Sequence, residues 1–168
     1  MGMAQDKEFL RAKDCAYRLL SYRPRSVKEL KDRLKKKDFS AKTIQKTVEY
    51  LRELNYLNDE EFARFWVEAK LSAAALGYAL LRYQLRQKGV AREVAEKVLN
   101  EQAGQYDEYE AARRLAVSRR RHYKGLQPLK IKRRLYGYLL RRGFPQEAIL
   151  QAIEQKRSRE YVGNLDYR

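Results

Sequence analysis

Three stretches of this chain repeat one pattern: Leu30-Lys31-Asp32-Arg33-Leu34-Lys35-Lys36-Lys37-Asp38-Phe39, Leu81-Arg82-Tyr83-Gln84-Leu85-Arg86-Gln87-Lys88-Gly89-Val90, and Leu135-Tyr136-Gly137-Tyr138-Leu139-Leu140-Arg141-Arg142-Gly143-Phe144. In each, two leucines four residues apart share one face of a helix. Basic residues follow, then a residue suited to a left-handed helix end (glycine twice, Asp38 once), then an apolar residue. Apolar residues return five and nine positions later, at Ile44 and Val48, Ala95 and Leu99, Ile149 and Ile153. The leading leucines lie 51 and 54 residues apart.

Working outward, each stretch is the second helix and turn of a three-helix unit. The third helix starts after Ser40, Ala91 or Pro145, of which Ala91 is the weakest cap. The first helix supplies Ala16, Leu19 and Leu20, then Phe62, Phe65, Trp66 and Ala69, then Ala112, Leu115 and Ala116. One first helix is expected over about 8–22, ended by Pro24. Ser26 and Glu29 have the spacing of a reciprocal capping box. Pro128 suits the first turn of a helix over about 128–142. No run alternates as a half-buried strand does. The expected fold is all-α: three tandem three-helix repeats over 8–55, 56–104 and 105–156, with a tail over 157–168. A unit this small needs its neighbours, so the units should stack into an elongated, curved molecule.

Composition agrees with a folded chain: 44% of its 168 residues are hydrophobic and 36% charged, too apolar for disorder. The near-apolar run Leu71–Leu81 is too short to cross a bilayer. Asp6, Lys7 and Glu8 interrupt any secretory signal. A single cysteine, Cys15, allows no internal disulfide. These features lead us to expect a soluble, cytoplasmic protein, and nothing demands more than a monomer.

The net charge of +16 and pI near 10 are the electrostatic footprint of an anionic partner. The excess is uneven. Residues 16–51 carry 11 basic and 4 acidic side chains, 52–99 carry 8 and 7, and 110–144 carry 12 and 1. A solvated, soluble surface explains mixtures of both signs better than it explains this last segment. Binding an anionic membrane would call for an amphipathic helix with a broad unspent apolar face, and none is left over.

Residues for catalysis are missing. His122 lies in Arg119-Arg120-Arg121-His122-Tyr123 without a local acid to orient it. Cys15 falls on the apolar face of the first helix, where a thiol is structural. No glycine-rich loop precedes a lysine, so no nucleotide site of that kind is present. Asp59-Glu60-Glu61 fits a helix start, where carboxylates complement the dipole, better than a metal site. We expect no catalytic, cofactor or metal residues and no small-molecule substrate.

The eighth helix carries the sharpest signal. Ile131, Leu135, Tyr138 and Leu139 share its core face. Lys130, Arg133, Arg134 and Arg141 fall opposite, around Gly137, where the lack of a side chain permits close approach. Arginine suits bidentate phosphate contact. Arg119, Arg120, Arg121 and Lys124 extend the patch from the preceding segment, and Arg142 follows it. Lys35, Lys36 and Lys37 in the first unit and Arg86 and Lys88 in the second complete the candidates. Tyr123, Tyr136, Tyr138, Tyr78 and Tyr83 stand among these cations. They serve either to stack on bases or to fill the edge of a helical core.

The pattern resembles the RecX family, regulators of the RecA recombinase. Arg25-Ser26-Val27-Lys28-Glu29-Leu30 through Leu34 looks like its R-S-x-x-E-L-x-x-x-L element. Tyr56-Leu57-Asn58-Asp59-Glu60-Glu61-Phe62-Ala63 is similar to its L-(D/N)-D-x-x-F-A element. Gly77 to Val90 resembles G-x(7)-L-x-x-K-G-I, and Leu139 to Phe144 resembles the closing L-x-R-R-G-F. The match covers roughly residues 12–155 in the family's order. Two positions depart from it: Asp38 stands where glycine is usual and Gln84 where glutamate is frequent.

The resemblance implies a protein that is not an enzyme. Members of that family bind the RecA–DNA nucleoprotein filament along its helical groove and modulate it, usually by inhibition. ATP hydrolysis, strand exchange and co-protease activity fall, which places the family in DNA repair, recombination and the SOS response. Many also bind DNA directly, single- or double-stranded. The residues alone leave a second reading open, a general nucleic-acid-binding helical module that acts without RecA.

Overall fold

The structure, a computed structural model, describes residues 2–154, with side chains from Asp6 onward. The tail expected over 157–168, and the last two residues assigned to the third unit, lie outside the described residues. Among those described there are nine α-helices and no strand: α1 Gly2–Tyr22, α2 Val27–Lys35, α3 Ala41–Glu53, α4 Asp59–Ala73, α5 Tyr78–Gln87, α6 Arg92–Gln102, α7 Glu108–Arg120, α8 Pro128–Arg141 and α9 Gln146–Glu154. A short 3-10 turn, Arg121–Tyr123, follows α7.

The helices group in threes, each group around its own core. Leu30 and Leu34 are buried with Cys15, Ala16, Ile44 and Val48. Leu81 and Leu85 are buried with Phe62, Val67, Ala95 and Leu99. Leu135 and Leu139 are buried with Ala112, Phe144, Ile149 and Ile153. Each middle helix ends in a left-handed residue: Asp38 at φ 62°, Gly89 at 82° and Gly143 at 83°. The fold is therefore three tandem three-helix repeats.

Three local expectations change. Helix α1 begins at Gly2, earlier than the apolar pattern marks, because no proline interrupts residues 2–8 and a helix propagates until something stops it. In α4 the buried face runs through Phe62, Ala63 and Val67 with Trp66 beside it, while Phe65 and Ala69 face outward. Small Ala63 lets α4 approach its partner α6, which rotates the apolar stripe by about one residue. The capping box is half formed. Ser26 Oγ accepts from the Glu29 amide, but the Glu29 carboxylate turns away to Arg23 at 2.9 Å and Lys88 at 2.5 Å.

The two junctions between units share one construction. The N-cap residue of one middle helix bonds the C-cap carbonyl of the next unit's middle helix. Ser26 Oγ donates to Lys88 C=O at 2.6 Å, and Gly77 N–H donates to Arg142 C=O at 2.8 Å. The first helix of the next unit adds a carboxylate to the same helix end. Val27 N–H donates to Asp59 at 2.8 Å, and Tyr78 N–H donates to Glu108 at 2.7 Å. Orphan groups at four helix ends are thus satisfied across units. Helices α8, α5 and α2 meet end to end, C-terminus to N-terminus. The outer ends of this series differ: Pro128, at the first position of α8, has no N–H to give, and Asp38, at the end of α2, carries a side chain.

The junctions differ in chemistry. The first is polar, with Lys28 Nζ on Gln87 C=O and the Glu29–Lys88 ion pair. Burial raises the Glu29 carboxyl, but the bonds from Arg23 and Lys88 outweigh it and hold the group below its ordinary range. The second is interlocked by backbone. A Cβ added at Gly77 would lie 2.0 Å from the Gly143 carbonyl oxygen, and one at Gly143 would lie 2.4 Å from Leu80 Cβ. Burial pushes the Glu108 carboxyl up there.

Leu85→Asp should unfold the second unit, since a fully buried leucine is exchanged for a charge at a cost of at least about 3 kcal/mol. A wild-type melting curve for this variant would contradict the register. Gly77→Ala should lower stability by about 1–3 kcal/mol through overpacking, read as separation of the melting of the third unit from the rest. Glu8 holds the start of α3, accepting from Ser40 N–H, Ser40 Oγ and Thr43 Oγ1. The Thr43 bond contributes most to holding its carboxyl below the ordinary value of 4.5. Its contribution is present above that pH and is lost as pH falls. Glu8→Gln should therefore flatten the acid side of the stability profile, and a parallel profile would remove Glu8 from this role.

Candidate nucleic-acid interface

Helix α8 buries Leu135 and Leu139 and half-buries Ile131 and Tyr138. That orientation leaves Lys130, Arg133, Arg134 and Arg141 exposed. At 1.5 Å per residue the stripe is about 16 Å long, matching about five nucleotides of one strand. Over Gly137 the surface is open: an added Cβ would meet only the Arg141 guanidinium, at 3.4 Å. Arg121, the C-cap of α7, and Lys124 are exposed on the segment leading into α8. Among the described residues none of these six cations has a carboxylate partner. The acid of this region, Glu110, is engaged by Arg113 and Arg114 on α7. Such a surface can neutralise phosphates and release their counterions.

The other candidates of the third unit face inward. Arg119 stacks on Tyr138 at 4.8 Å and Tyr123 at 5.8 Å, with its Nε buried and without an acceptor among the described residues. Arg120 donates to Ile153 C=O at 2.9 Å and ties α7 to the end of α9. Arg142 lies over Tyr138 at 5.4 Å and reaches Tyr138 Oη and Ala75 C=O, so it belongs to the second junction. Arg134 has its guanidinium 5.7 Å from the Tyr123 ring while remaining exposed. Tyr123 and Tyr138 thus serve as platforms for arginines of the chain itself.

In the first unit Lys35, Lys36 and Lys37 are all exposed at the end of α2. In the second, Arg86 is exposed with its guanidinium 5.8 Å from the ring of exposed Tyr83. Lys88 is occupied by Glu29, and Gln84 turns its Oε1 inward, buried and without a partner among the described residues. The basic candidates therefore divide into a continuous stripe on the third unit, two separate groups on the other units, and four residues with internal work. Sequence reading missed that work because the partners of Lys88, Arg120 and Arg142 lie 33 to 67 residues away. The one available signal was position: Lys88 and Arg142 each stand directly before a left-handed glycine. His122 is exposed. Among the described residues no group of three or more His, Cys, Asp or Glu side chains is placed to hold a metal, and no helix is long and apolar enough to cross a membrane.

Comparison with known proteins bears on all three units. Models of the first, second and third three-helix domains of RecX match residues 12–51, 58–99 and 105–153, in that order. The regulatory protein RecX of Prosthecochloris aestuarii is 33% identical over 150 residues, covering 89% of this chain and 96% of that one. The regulatory protein RecX of Caldanaerobacter subterraneus subsp. tengcongensis is 35% identical over 144 residues, covering 84% and 68%. The crystal structure of RecX from Lactobacillus salivarius superposes with a TM-score of 0.77 at 23% identity, over 88% of this chain and 96% of that one. A second RecX crystal structure gives 0.83 at 20% identity, over 90% and 76%. With its three repeats matched in order and close to the full length of the Prosthecochloris relative covered, the chain belongs to the RecX family of regulatory proteins.

Proposed function

We propose that this protein is a regulator of RecA that binds the RecA–DNA nucleoprotein filament and inhibits its ATPase, strand-exchange and co-protease activities. The observation that carries this reading is the match of all three units, in order, to a family of regulatory proteins. The protein is not an enzyme. DNA contact, to single or double strands, is made by the exposed stripe of Lys130, Arg133, Arg134 and Arg141 with Arg121 and Lys124. Lys35, Lys36, Lys37 and Arg86 supply separate points of attachment. The internally engaged Arg119, Arg120, Arg142 and Lys88 support these surfaces from behind. The protein acts as a cytoplasmic monomer.

The deciding experiment adds the protein, below one per RecA protomer, to preformed filaments and follows single-stranded-DNA-dependent ATP hydrolysis. The rate should fall. An unchanged rate with DNA binding intact at the same salt would leave a general nucleic-acid-binding module instead. Charge reversal at Lys130, Arg133, Arg134 and Arg141 together should weaken DNA binding. It should also reduce the slope of log K against log salt by about 3, at roughly 0.7 per lost contact on a single strand. An unchanged slope would discard the stripe.

A further inference from the structure

A cleft of about 420 Å³ opens at the first junction, between the end of α1 and the start of α4. Tyr17, Leu20, Pro24, Tyr56 and Phe62 form its walls, and Arg25 lines it. Tyr17 and Tyr56 meet edge to face at 5.6 Å, and Tyr56 is 61% exposed. Arg25 is half-buried; its Nε donates to Leu19 C=O at 2.9 Å, and among the described residues it has no carboxylate partner. Partial burial is the largest of the causes that push its pKa down, with nearby Arg23 adding to it and Glu29 opposing it.

The second junction shows what such a crevice accepts. Tyr106 stands directly before the N-cap of α7, where Leu57 stands before the N-cap of α4. Its hydroxyl donates to Leu76 C=O at 2.9 Å and accepts from Leu76 N–H at 3.1 Å. Leu76 directly precedes the N-cap of α5, as Arg25 directly precedes the N-cap of α2. The chain supplies an aromatic ring with a polar tip at one junction. At the other it supplies a shorter leucine, which is buried in the first core and leaves its neighbours Tyr56 and Asn58 to line the cleft.

The geometry points to a docking site in this cleft for a protein partner, which inserts an aromatic side chain beside a carboxylate that pairs with Arg25. Buried aromatic and arginine contacts of this kind dominate binding energy at protein interfaces. The chain's charge of +16 favours an acidic segment over a second copy, and the segment beyond residue 154 has more basic than acidic side chains. Exposed Glu61 on the rim repels a nucleic-acid phosphate, and it repels equally any carboxylate that is not held against Arg25, so the partner's acid has one place to pair. Only the identity of the partner rests on the regulatory reading above, which makes it RecA.

The test compares wild-type protein with Tyr56→Ala, which empties a wall, Ser21→Trp, which fills the cleft from its rim, and Tyr109→Ala, an exposed aromatic on the third unit. Melting curves establish that each is folded. Affinity is measured for cognate RecA without DNA and for single-stranded DNA without RecA. Tyr56→Ala and Ser21→Trp should each weaken RecA binding at least tenfold, leaving DNA binding and the Tyr109→Ala control unchanged. RecA binding unaffected by both would overturn the cleft while leaving the regulatory reading intact, and so would a matching loss of DNA affinity or a dimer that Tyr56→Ala dissociates. If wild-type protein has no affinity for RecA and no effect on its ATPase, the regulatory reading fails. The cleft is then decided by NMR titration with an acetylated, amidated Glu-Tyr-Glu peptide. Shifts centred on residues 17–25 and 56–62 and absent in Ser21→Trp would support it, and their absence would overturn it.

Discussion

Close approach of a helix end to a helix start, bridged by backbone at one junction and by the Ser26 hydroxyl at the other, is the constraint on which this molecule depends. Each unit closes its own small core, but the units become one protein where an N-cap and a C-cap carbonyl come within hydrogen-bonding distance. At the second junction the backbones at Gly77 and Gly143 are so near that neither residue has room for a Cβ. At the first, a Cβ on Gly89 would lie 2.6 Å from that of Lys28. The left-handed turn needed to end a helix and the bare backbone needed for contact are met by one residue type. This accounts for Asp38: its turn has the same handedness but among the described residues no unit packs on it, so only the conformation has to be tolerated.

The repeated leucine pairs and the residues five and nine positions later were enough to read all three cores, because a helical period of 3.6 and a buried face leave a local trace. Helix α4 shows the limit of that trace. Phe62, Phe65, Trp66 and Ala69 make a plausible apolar face alone, and only the presence of α6 decides for Ala63 and Val67. The junctions were illegible for the same reason. Glu29 has the spacing for a local cap, yet a lysine 59 residues away takes its carboxylate. The roles of Asp59 and Glu108, in the first turns of their helices, have no local signature beyond the charge that any helix start favours.

Positive charge is used in two ways. Arg119, Arg120, Arg142 and Lys88 stack, cap and bridge within the chain, so their charge is already committed to aromatic rings, carbonyls or Glu29. On the exposed stripe of α8, among the described residues, Arg134 alone has such a contact, with the Tyr123 ring. The junctions differ in a related way: the first includes the Glu29–Lys88 ion pair, which salt screens, while the second rests on backbone and aromatic contact together with Glu108, whose raised carboxyl is the first of the two to take a proton as pH falls. The third unit thus carries its basic stripe against the second through contacts that salt screens little, while the first unit is attached in part through an ion pair.

Pro128 and Asp38 bear on how many units such a chain can hold. The middle unit has a fitted surface at both ends, a bare N-cap at Gly77 and a bare turn at Gly89. The outer units each have one fitted surface and one closed by a side chain or a missing N–H. A longer concatemer would therefore grow by duplicating the middle unit, since copies of either outer unit placed inside would present a blocked face. Repeat number in this architecture is written at its two termini rather than in its cores.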